Sequence, residues 1–510
     1  MLTKRKTGVI LSYILMIAEV LSTLLLTPFI IRTLGQSEYG VYKLVGVVST
    51  YLLLLDLGIG NAVVRFASKF RANSDNESIQ KLLGVVTIYY IIISIITLII
   101  GFVLFFLFPL IFAVGLTLEE IELGRKLLII IMINAAFTLG TTAYHNYLIA
   151  YEKFAFSRIS SIISIVIRIT LVFLSIHLGF GSISIVLIQL FLTILFRIID
   201  ILYVLFVLKI KPTIKNVDKS FVKSILFYSA FILLQMIATQ ISASVDSILI
   251  GSLVQSSSII LGIYGVGTQI VQYYQSIGSA FNDVLMPGVV EIVEKNENSS
   301  DLVENEMIKI GRIIIMCLGI ILIGFIFFGK DFIVLWTSEE NLDAYYVSLL
   351  LMIAYTFTLS QSVGTQALWA KNEQKELSFI KIGIVVLNVL LTVFLVKWNP
   401  LIGATIGTCL SLFLGDVVLT NVLFKTKLKL NLWKYYAGMF KKIWFVFLLT
   451  AVVAFGCMYI PIVGWIGLAI KIFVICAFYS VTIYFLGMNN YEKNIINNFF
   501  LKFKKKKIIC

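Results

Sequence analysis

The chain has 510 residues, of which 60% are hydrophobic and only 13% are charged, and its mean hydropathy is +1.01. Soluble domains are only about half apolar, so this composition excludes a soluble globular protein. It predicts a protein that crosses a membrane many times. The five cysteines show neither a C-x-x-C pair nor metal-ligand spacing, so neither a disulfide framework, a metal site nor a cofactor is expected.

The formal net charge of +14 lies mainly in short basic stretches between apolar segments and in the tail sequence KFKKKK. Basic stretches beside spans set membrane topology and contact anionic lipid headgroups. The charge therefore predicts membrane lipid as a partner, and no nucleic acid is needed to explain it.

Fourteen apolar segments follow one another, each close to the roughly 20 residues that a membrane-spanning helix needs. They lie near residues 8–31, 41–60, 83–110, 127–150, 158–179, 182–208, 224–253, 258–283, 309–329, 345–369, 376–397, 401–424, 440–460 and 464–487. The first follows MLTKRKTG without a small-residue cleavage site, so we interpret it as a span and not as a removed signal peptide. The fold class predicted is an all-α polytopic membrane protein.

The distribution of lysine and arginine tests the number of spans, because cytoplasmic loops carry an excess of both. With the N-terminus in the cytoplasm and fourteen alternating spans, about 32 of these residues fall on the cytoplasmic side and about 6 outside. One span more or fewer would scramble this asymmetry. The pattern predicts fourteen transmembrane helices with both termini in the cytoplasm.

The chain also repeats itself. The pattern FTL followed by LxA over residues 137–150 recurs over residues 357–370, and residues 34–41 are echoed by residues 261–266. Both pairs are six spans apart, so the two copies have the same orientation, which is the parallel type of transporter repeat. The domains predicted are an N-terminal lobe (1–208), a basic cytoplasmic linker (209–223), a C-terminal lobe (224–424), and two further helices with a basic tail (425–510).

The stretch from Thr27 to Phe66 contains two features that are costly in lipid. Pro28 removes a backbone donor from its helix. Asp56 is an ionisable group near the end of an apolar segment, where such groups normally face protein or water. This helical hairpin is the first place to expect a transport path.

The sequences TPFIIRTLGQSEYGVYKL and DLGIGNAVVRF in this stretch resemble the opening of the polysaccharide-transporter family. These proteins are bacterial O-antigen and capsule flippases of the MATE-like MOP superfamily. The resemblance continues in NYLIAYEKF (146–154) and in DSILIGSLVQSSSIILGIYGVG (246–267), and it fades after about residue 430.

The resemblance implies two six-helix lobes in a MATE-like arrangement with two extra C-terminal helices, in the bacterial cytoplasmic (inner) membrane. It implies a flippase that moves an undecaprenyl-diphosphate-linked oligosaccharide, an O-antigen or capsule repeat unit, by alternating access. It further implies a monomeric transporter that works with a polysaccharide polymerase and a chain-length regulator.

Two other classes of membrane protein are alternatives. The alternative within the superfamily is a MATE-type drug/cation antiporter, which should show several buried carboxylates and few arginines. A membrane enzyme would need a sizeable extramembrane loop or a catalytic carboxylate motif, and the sequence offers neither, so no enzyme is expected.

Polar residues at helical spacing form stripes on several predicted spans, which favours a shared polar cavity. A single serine or threonine is more simply explained by hydrogen bonding between helices. The candidate substrate-binding residues are Arg168, Asn134, His145, Gln235, Gln272, Arg32 and Arg65. Among them Arg168 follows three serines on one face of the fifth span, and its guanidinium suits the diphosphate of the implied cargo.

The candidates for proton or sodium coupling are three carboxylates, Glu19, Asp246 and Asp56. As the simpler alternatives, Glu19 or Asp246 pairs with Arg168, and Asp56 pairs with Arg65 at a helix end.

A structural role is expected for the remaining intramembrane charges and for one glycine series. Arg197, Asp200 and Asp416 are expected to be span-end charges. The glycine series Gly262, Gly265 and Gly267 is expected to serve close helix packing.

Overall fold

The computed structural model describes residues 2–56, 58–214, 237, 240–242, 244–295, 300–371, 373–494 and 497, with residues 2–9, 61, 280–295, 370 and 374 described by their backbone alone. Within these ranges the regular structure is entirely helical. The chain is therefore an all-α protein, as the sequence predicts.

The helices are α1 (Leu2–Leu34), α2 (Gln36–Leu53), α3 (Ile59–Ala72), α4 (Asn76–Phe112), α5 (Leu118–Ala150), α6 (Phe154–His177), α7 (Ser182–Leu202), α8 (Ser244–Leu253), α9 (Ser257–Lys295), α10 (Ser300–Trp336), α11 (Ala344–Ser360), α12 (Ser362–Ala370), α13 (Gln374–Leu395), α14 (Pro400–Leu412), α15 (Thr420–Lys427), α16 (Leu432–Phe440), α17 (Ile443–Met458) and α18 (Gly464–Thr482). Single π-helical segments follow α7, α14 and α18.

Among the described residues, 11 helices are long and apolar enough to cross a membrane, or 12 if α16 and α17, which are bent by 41° relative to one another, form one span. The protein is thus a multi-pass membrane protein. Much of the seventh predicted span, 224–253, lies outside the described residues, and the eighth lies within α9. The number fourteen stays a prediction.

The chain divides into two compact units. Unit 1 comprises Met1–Gly265 with Val396–Leu401, and unit 2 comprises Val266–Leu395 with Ile402–Cys510. The predicted lobes with a linker at 209–223 stay a prediction.

At one end of unit 1 lie the connections between helices that the predicted alternating topology places outside the cytoplasm. The amide of Ser257, at the start of α9, donates to the carbonyl of Gly115 in the α4–α5 connection at 2.8 Å. The amide of Ser182, at the start of α7, donates to Glu38 Oε1 at the start of α2 at 2.6 Å. We call this the outer end of unit 1.

The other connections meet at the opposite end, the inner end. Arg71 at the end of α3 donates to the carbonyl of Ala150 at 2.8 Å and pairs with Glu152 at 3.2 Å. Asp75 caps α4, and hydrogen bonds from the hydroxyl and amide of Ser78 lower the pKa of its carboxyl. Unit 1 therefore has the up-and-down order that the hydropathy pattern predicts.

The echoed segments 34–41 and 261–266 pack against each other at the outer end. A Cβ on Gly40 would lie 1.8 Å from the carbonyl oxygen of Ser258, and one on Gly262 would lie 2.6 Å from Gln36 Nε2. A Cβ on Gly265 would lie 3.1 Å from Lys43 Cγ. The contacts at Gly40 and Gly262 need glycine because they involve backbone atoms, whereas at Gly265 the Lys43 side chain would have to move by only a few tenths of an ångström. This agrees with the packing role expected for Gly262.

The second repeat has the same helix ending in both copies. After α5, the amide of Tyr151 donates to the carbonyl of Tyr147, and that of Lys153 donates to Leu148. After α12, the amides of Lys371 and Glu373 donate in the same pattern to Ala367 and Leu368. Residues 137–150 and 357–370 thus share their local structure as well as their sequence. The copies differ at Gln361, which separates α11 from α12 inside the predicted tenth span.

The second predicted span, 41–60, is not one continuous helix. α2 passes into a 3₁₀ turn at Leu54–Asp56, and Gly58 has a φ of +72° before α3 begins at Ile59. That left-handed conformation strains residues with a Cβ, so glycine sets the break. The thirteenth predicted span, 440–460, contains the whole of α17, and Lys442, with a φ of +66°, separates α17 from α16 at the start of this span.

In unit 2, α10 packs against α11, α16, α17 and α18. Buried tyrosines tie this assembly to the α10 backbone. Tyr479 of α18 donates to the carbonyl of Met316 at 2.7 Å, and Tyr345 of α11 donates to Ile326 at 2.9 Å. α10 is therefore the central helix on which the C-terminal helices pack.

Candidate functional site

Arg168 lies beyond the middle of α6, and its guanidinium is only weakly satisfied by protein. Its Nη2 donates to the hydroxyl of Ser22 on α1 at 3.2 Å, while its Nε is buried without a hydrogen-bond partner. Tyr42 on α2 interacts with it electrostatically. In the described part of the chain, neither Glu19 nor Asp246 forms an ion pair with it within 4.0 Å. The alternative of a pair with either carboxylate is therefore not observed.

Asp246 has protein partners on neighbouring helices. The hydroxyl of Tyr264 on α9 donates to its Oδ2 at 2.7 Å. One turn earlier, Gln240 Nε2 donates to Thr50 Oγ1 of α2 at 2.8 Å and to Ser244 Oγ at 3.0 Å. The polar face predicted for the seventh span thus contacts α2 and α9 inside unit 1.

A second group of charges lies between the end of α2 and helices α4, α5 and α7. The hydroxyl of Tyr90 donates to Asp56 Oδ1 at 2.5 Å, and the amide of Gly60 donates to Oδ2 at 3.4 Å. The described hydrogen-bond donors to Asp56 are therefore neutral, and an ion pair between Asp56 and Arg65 is not observed among the described residues. Beside it, Asn146 Nδ2 is buried without a hydrogen-bond partner.

The same group contains the pair His145 and Asp200. Nδ1 of His145 on α5 lies 2.8 Å from Asp200 Oδ2 on α7. Arg197 Nη1 lies 3.8 Å from the same oxygen and interacts electrostatically with Tyr90. We call Asp56, Tyr90, His145, Arg197 and Asp200 the partly buried charge cluster.

Three charges expected at span ends have partners inside the protein. Arg197 and Asp200 lie in the last two turns of α7, and Asp200 is 5% exposed and bonded to His145. Asp416 is 6% exposed and pairs with Lys381 Nζ at 2.6 Å. The sequence does indicate such pairing, since an ionisable residue inside an apolar run is normally a functional or paired group.

The other candidate site residues are scattered. Asn134 lies on the same helix as His145, and its Oδ1 is buried without a hydrogen-bond partner. Arg32, Arg65, Glu19 and Gln272 are exposed. Gln235 lies outside the described residues. The sequence analysis did not identify Ser22 and Tyr42, because a single polar side chain in an apolar helix does not indicate a site by itself.

Unit 2 has its own polar network between α13 and α14. Asn388 Nδ2 donates to Thr408 Oγ1 at 3.0 Å, and Thr392 donates to Asn388 Oδ1 at 3.1 Å. All three residues are buried. Their donors and acceptors largely satisfy one another, which is the helix-bonding role of polar residues in membranes.

A family model described as "Polysaccharide biosynthesis protein" matches residues 5–293, more than half of the chain. The chain belongs to this family. The match runs from within α1 to within α9 and so contains both Arg168 and the partly buried charge cluster. No curated protein sequence matches the chain.

Solved structures of low sequence identity share the fold of this family member. A structure titled "Lipid II flippase MurJ, inward closed conformation" is 19% identical, with a TM-score of 0.70, and covers 93% of this chain and 98% of its own. An inward-facing multidrug resistance MATE family transporter of the MOP superfamily is 16% identical, with a TM-score of 0.60 and coverages of 79% and 96%. A MOP superfamily transporter from Pyrococcus furiosus is 17% identical, with a TM-score of 0.52 and coverages of 84% and 97%. The chain therefore has the MATE-like fold that the sequence resemblance implies.

Proposed function

We propose that this protein is a flippase that moves an undecaprenyl-diphosphate-linked oligosaccharide from the inner to the outer leaflet of the bacterial cytoplasmic membrane. The family's role in polysaccharide biosynthesis supports the sugar cargo, and the fold shared with a lipid II flippase supports transport of a lipid-linked molecule. Alternating access moves the cargo, and both termini are cytoplasmic. A polysaccharide polymerase and a chain-length regulator receive it afterwards.

The proposal rests on the guanidinium of Arg168, whose hydrogen-bonding groups are only partly satisfied by the protein. A guanidinium at membrane depth costs several kcal/mol unless water or an anion compensates it. Its described partners are a neutral hydroxyl at 3.2 Å and a nearby tyrosine, and its Nε has no hydrogen-bond partner. A diphosphate supplies the missing anion, because its oxygens accept two parallel hydrogen bonds from a planar guanidinium.

The drug/cation antiporter is the competing function. A cation-binding site needs a carboxylate left open to the ligand, yet Asp246 and Asp56 already accept hydrogen bonds from Tyr264 and Tyr90. Glu19 is exposed and remains available to such a ligand. The two functions therefore predict different essential residues, Arg168 for the flippase and Glu19 for the antiporter.

The test is complementation of a deletion strain. Loss of the protein should cause the undecaprenyl-diphosphate-linked oligosaccharide to accumulate, and the wild-type protein should reverse this. Arg168→Ala should reduce transport by about 10- to 100-fold, because a charge-assisted hydrogen bond is worth about 1.5–3 kcal/mol. Arg168→Lys should restore it in part, since lysine keeps the charge without the bidentate geometry.

The matched control is Thr170→Ala on the same helix. Thr170 is exposed and its hydroxyl bonds only to the carbonyl of Val166 in its own helix, so transport should be unchanged. All variants are compared at equal membrane abundance. A deletion strain that gains drug sensitivity without lipid accumulation would refute the flippase. Full transport by Arg168→Ala would refute the role of Arg168 in binding the diphosphate.

A further inference from the structure

A cavity of about 580 Å³ lies at the inner end of unit 1, where α7 ends. It is lined by Leu205, Phe206, Lys209, Lys211 and Pro212. Ligand sites in proteins have volumes of about 300–1,000 Å³, so this cavity is large enough for a small molecule or a lipid headgroup. Its walls combine apolar side chains with two cations, which suits an amphiphile that carries a negative charge.

The wall that carries the lysines is fixed to the helices by backbone contacts. The amide of Ile210 donates to the carbonyl of Val204 at 3.2 Å, and Ile210 is buried. The amide of Thr213 donates to the carbonyl of Gln80 on α4 at 3.1 Å. One turn further along α4, a Cβ on Gly84 would collide with the carbonyl of Thr213, so glycine permits this close approach. The cavity is therefore a built part of the fold.

Lys209 has a backbone conformation that favours glycine over lysine. Its φ is +56°, in the left-handed region where a Cβ is strained and where glycine commonly ends a helix. Lys429, just after α15, has the same φ at the offset that also relates residues 137–150 to 357–370. Glycine would satisfy the backbone of this turn better, so the contribution of the lysine is its ammonium group.

The two ammonium groups of the cavity have no counter-ion in the part of the chain that the structure describes. Lys209 and Lys211 are exposed, and no described carboxylate oxygen lies within 4.0 Å of either nitrogen. Lysines at the end of a membrane span lie near the phosphate groups of the bilayer and attract anionic lipid. Both charges are thus available to a phosphate that enters the cavity.

An apolar stripe on α7 leads from the bilayer into the cavity. Five exposed residues at helical spacing share this face: Phe191, Leu195, Ile198, Leu202 and Phe206. The segment Ser182–Val207 is a candidate membrane span, so the stripe contacts lipid chains, and its last member lines the cavity. The stripe is about 22 Å long, which exceeds half of the roughly 30 Å hydrocarbon core. An acyl chain can follow it while its phosphate contacts the lysines.

We propose that this cavity binds one anionic phospholipid. Lys209 and Lys211 bind its phosphate, and its acyl chain lies along Phe206 and the apolar stripe of α7. The general attraction of basic loops to anionic lipid needs neither a cavity nor an apolar path. A free phosphate ion would use the lysines but not the stripe. The site does not depend on the proposed function, because the cargo takes no part in it.

The test is native mass spectrometry of the delipidated, full-length protein in detergent. It is titrated with phosphatidylglycerol or with zwitterionic phosphatidylcholine of the same acyl chains. We expect the first phosphatidylglycerol to bind roughly 10- to 30-fold more tightly, because two lysines face its net negative charge. Equal binding of the two lipids would overturn the proposal.

Lys209→Gly separates the side chain from the fold. Glycine relieves the strain at a φ of +56°, so the protein should fold at least as well, yet the preference for phosphatidylglycerol should fall about fivefold. The matched control is Lys429→Gly, which removes the same charge at the same φ but lies in unit 2 and does not line the cavity. An unchanged preference in Lys209→Gly, or an equal loss in both variants, would refute the site.

Three further measurements distinguish the phospholipid from other phosphates. Phe206→Gln should weaken phosphatidylglycerol binding severalfold, because it interrupts the apolar path at the cavity. Inorganic phosphate at millimolar concentration should not displace the lipid, and displacement would indicate an ion site instead. Undecaprenyl phosphate should compete no better than a second phosphatidylglycerol. Stronger competition would assign the cavity to the carrier lipid and overturn the phospholipid assignment.

Discussion

Arg312 Nε donates a hydrogen bond to Glu492 Oε1 at 2.6 Å, across 180 residues of sequence. Its Nη2 also donates to Oε2 at 3.2 Å, and the two residues are only 4% and 3% exposed. The same guanidinium donates to the carbonyls of Lys441 and Gly487, each at 2.8 Å. A single side chain of α10 thus connects the α16–α17 break, the end of α18 and the segment after it.

Removal of this guanidinium should destabilise unit 2 strongly. Arg312→Ala leaves Glu492 buried without its cation and is expected to cost about 3–5 kcal/mol. Glu492→Gln keeps one hydrogen bond and should cost less. The measurement is thermal unfolding of the purified protein in detergent.

The control lies one turn earlier on the same helix. Lys309 pairs with Glu306 at 2.5 Å, and their side chains are partly exposed, by 38% and 26%. Lys309→Ala should change stability by no more than about 0.5 kcal/mol. Equal effects of Arg312→Ala and Lys309→Ala would contradict the connecting role of Arg312.

The outer end of unit 1 should tolerate no side chain at Gly40. The Cβ of Gly40→Ala would lie 1.8 Å from the backbone of Ser258, so α2 and α9 must separate. Such overpacking costs about 1–3 kcal/mol. Gly46 lies on the same helix with nothing within 4 Å of its Cβ position, so Gly46→Ala should be neutral or stabilising by up to about 1 kcal/mol. The measurement is the melting temperature of each variant. A Gly40→Ala protein that melts at the same temperature as the wild type would contradict the contact between Gly40 and Ser258.

The two ends of unit 1 should face opposite sides of the membrane. Phe180 is exposed in the α6–α7 connection at the outer end, and Ser74 is exposed between α3 and α4 at the inner end. With the predicted orientation, Phe180→Cys should react with a membrane-impermeant maleimide in intact cells. Ser74→Cys should react only after permeabilisation. Labelling of the unsubstituted protein, which has five cysteines, gives the background. Labelling of Ser74→Cys alone in intact cells would reverse the orientation.

Several elements of the structure were predictable because hydropathy and backbone preference are local. Long apolar runs predict helices wherever they occur, and α1, α4 and α5 each contain a predicted span. The repeated residues at 137–150 and 357–370 end their helices with the same hydrogen bonds. Where the chain breaks inside a predicted span, as at Gly58, the reason is also local, but a hydropathy window is too wide to detect it.

The candidate site was predicted only in part. Arg168 was identified from its helix face, and its environment is short of hydrogen-bond acceptors. The burial and pairing of Asp200 were not predicted, because a charge eight residues from the end of an apolar run looks like a solvated span-end residue. Its partner His145 is 55 positions away, and no periodicity within one helix relates the two.

The sequence by itself therefore determined the membrane class, the helical fold, the order of helices and the repeat. The tertiary structure decided which polar groups meet, as in His145 with Asp200 and Arg312 with Glu492. The physical reason is that lipid is as apolar as a leucine side chain, so a helix face that contacts lipid and one that contacts protein have similar compositions. The rotation of each helix about its axis is set only by packing against its neighbours, and that rotation determines every one of these pairs.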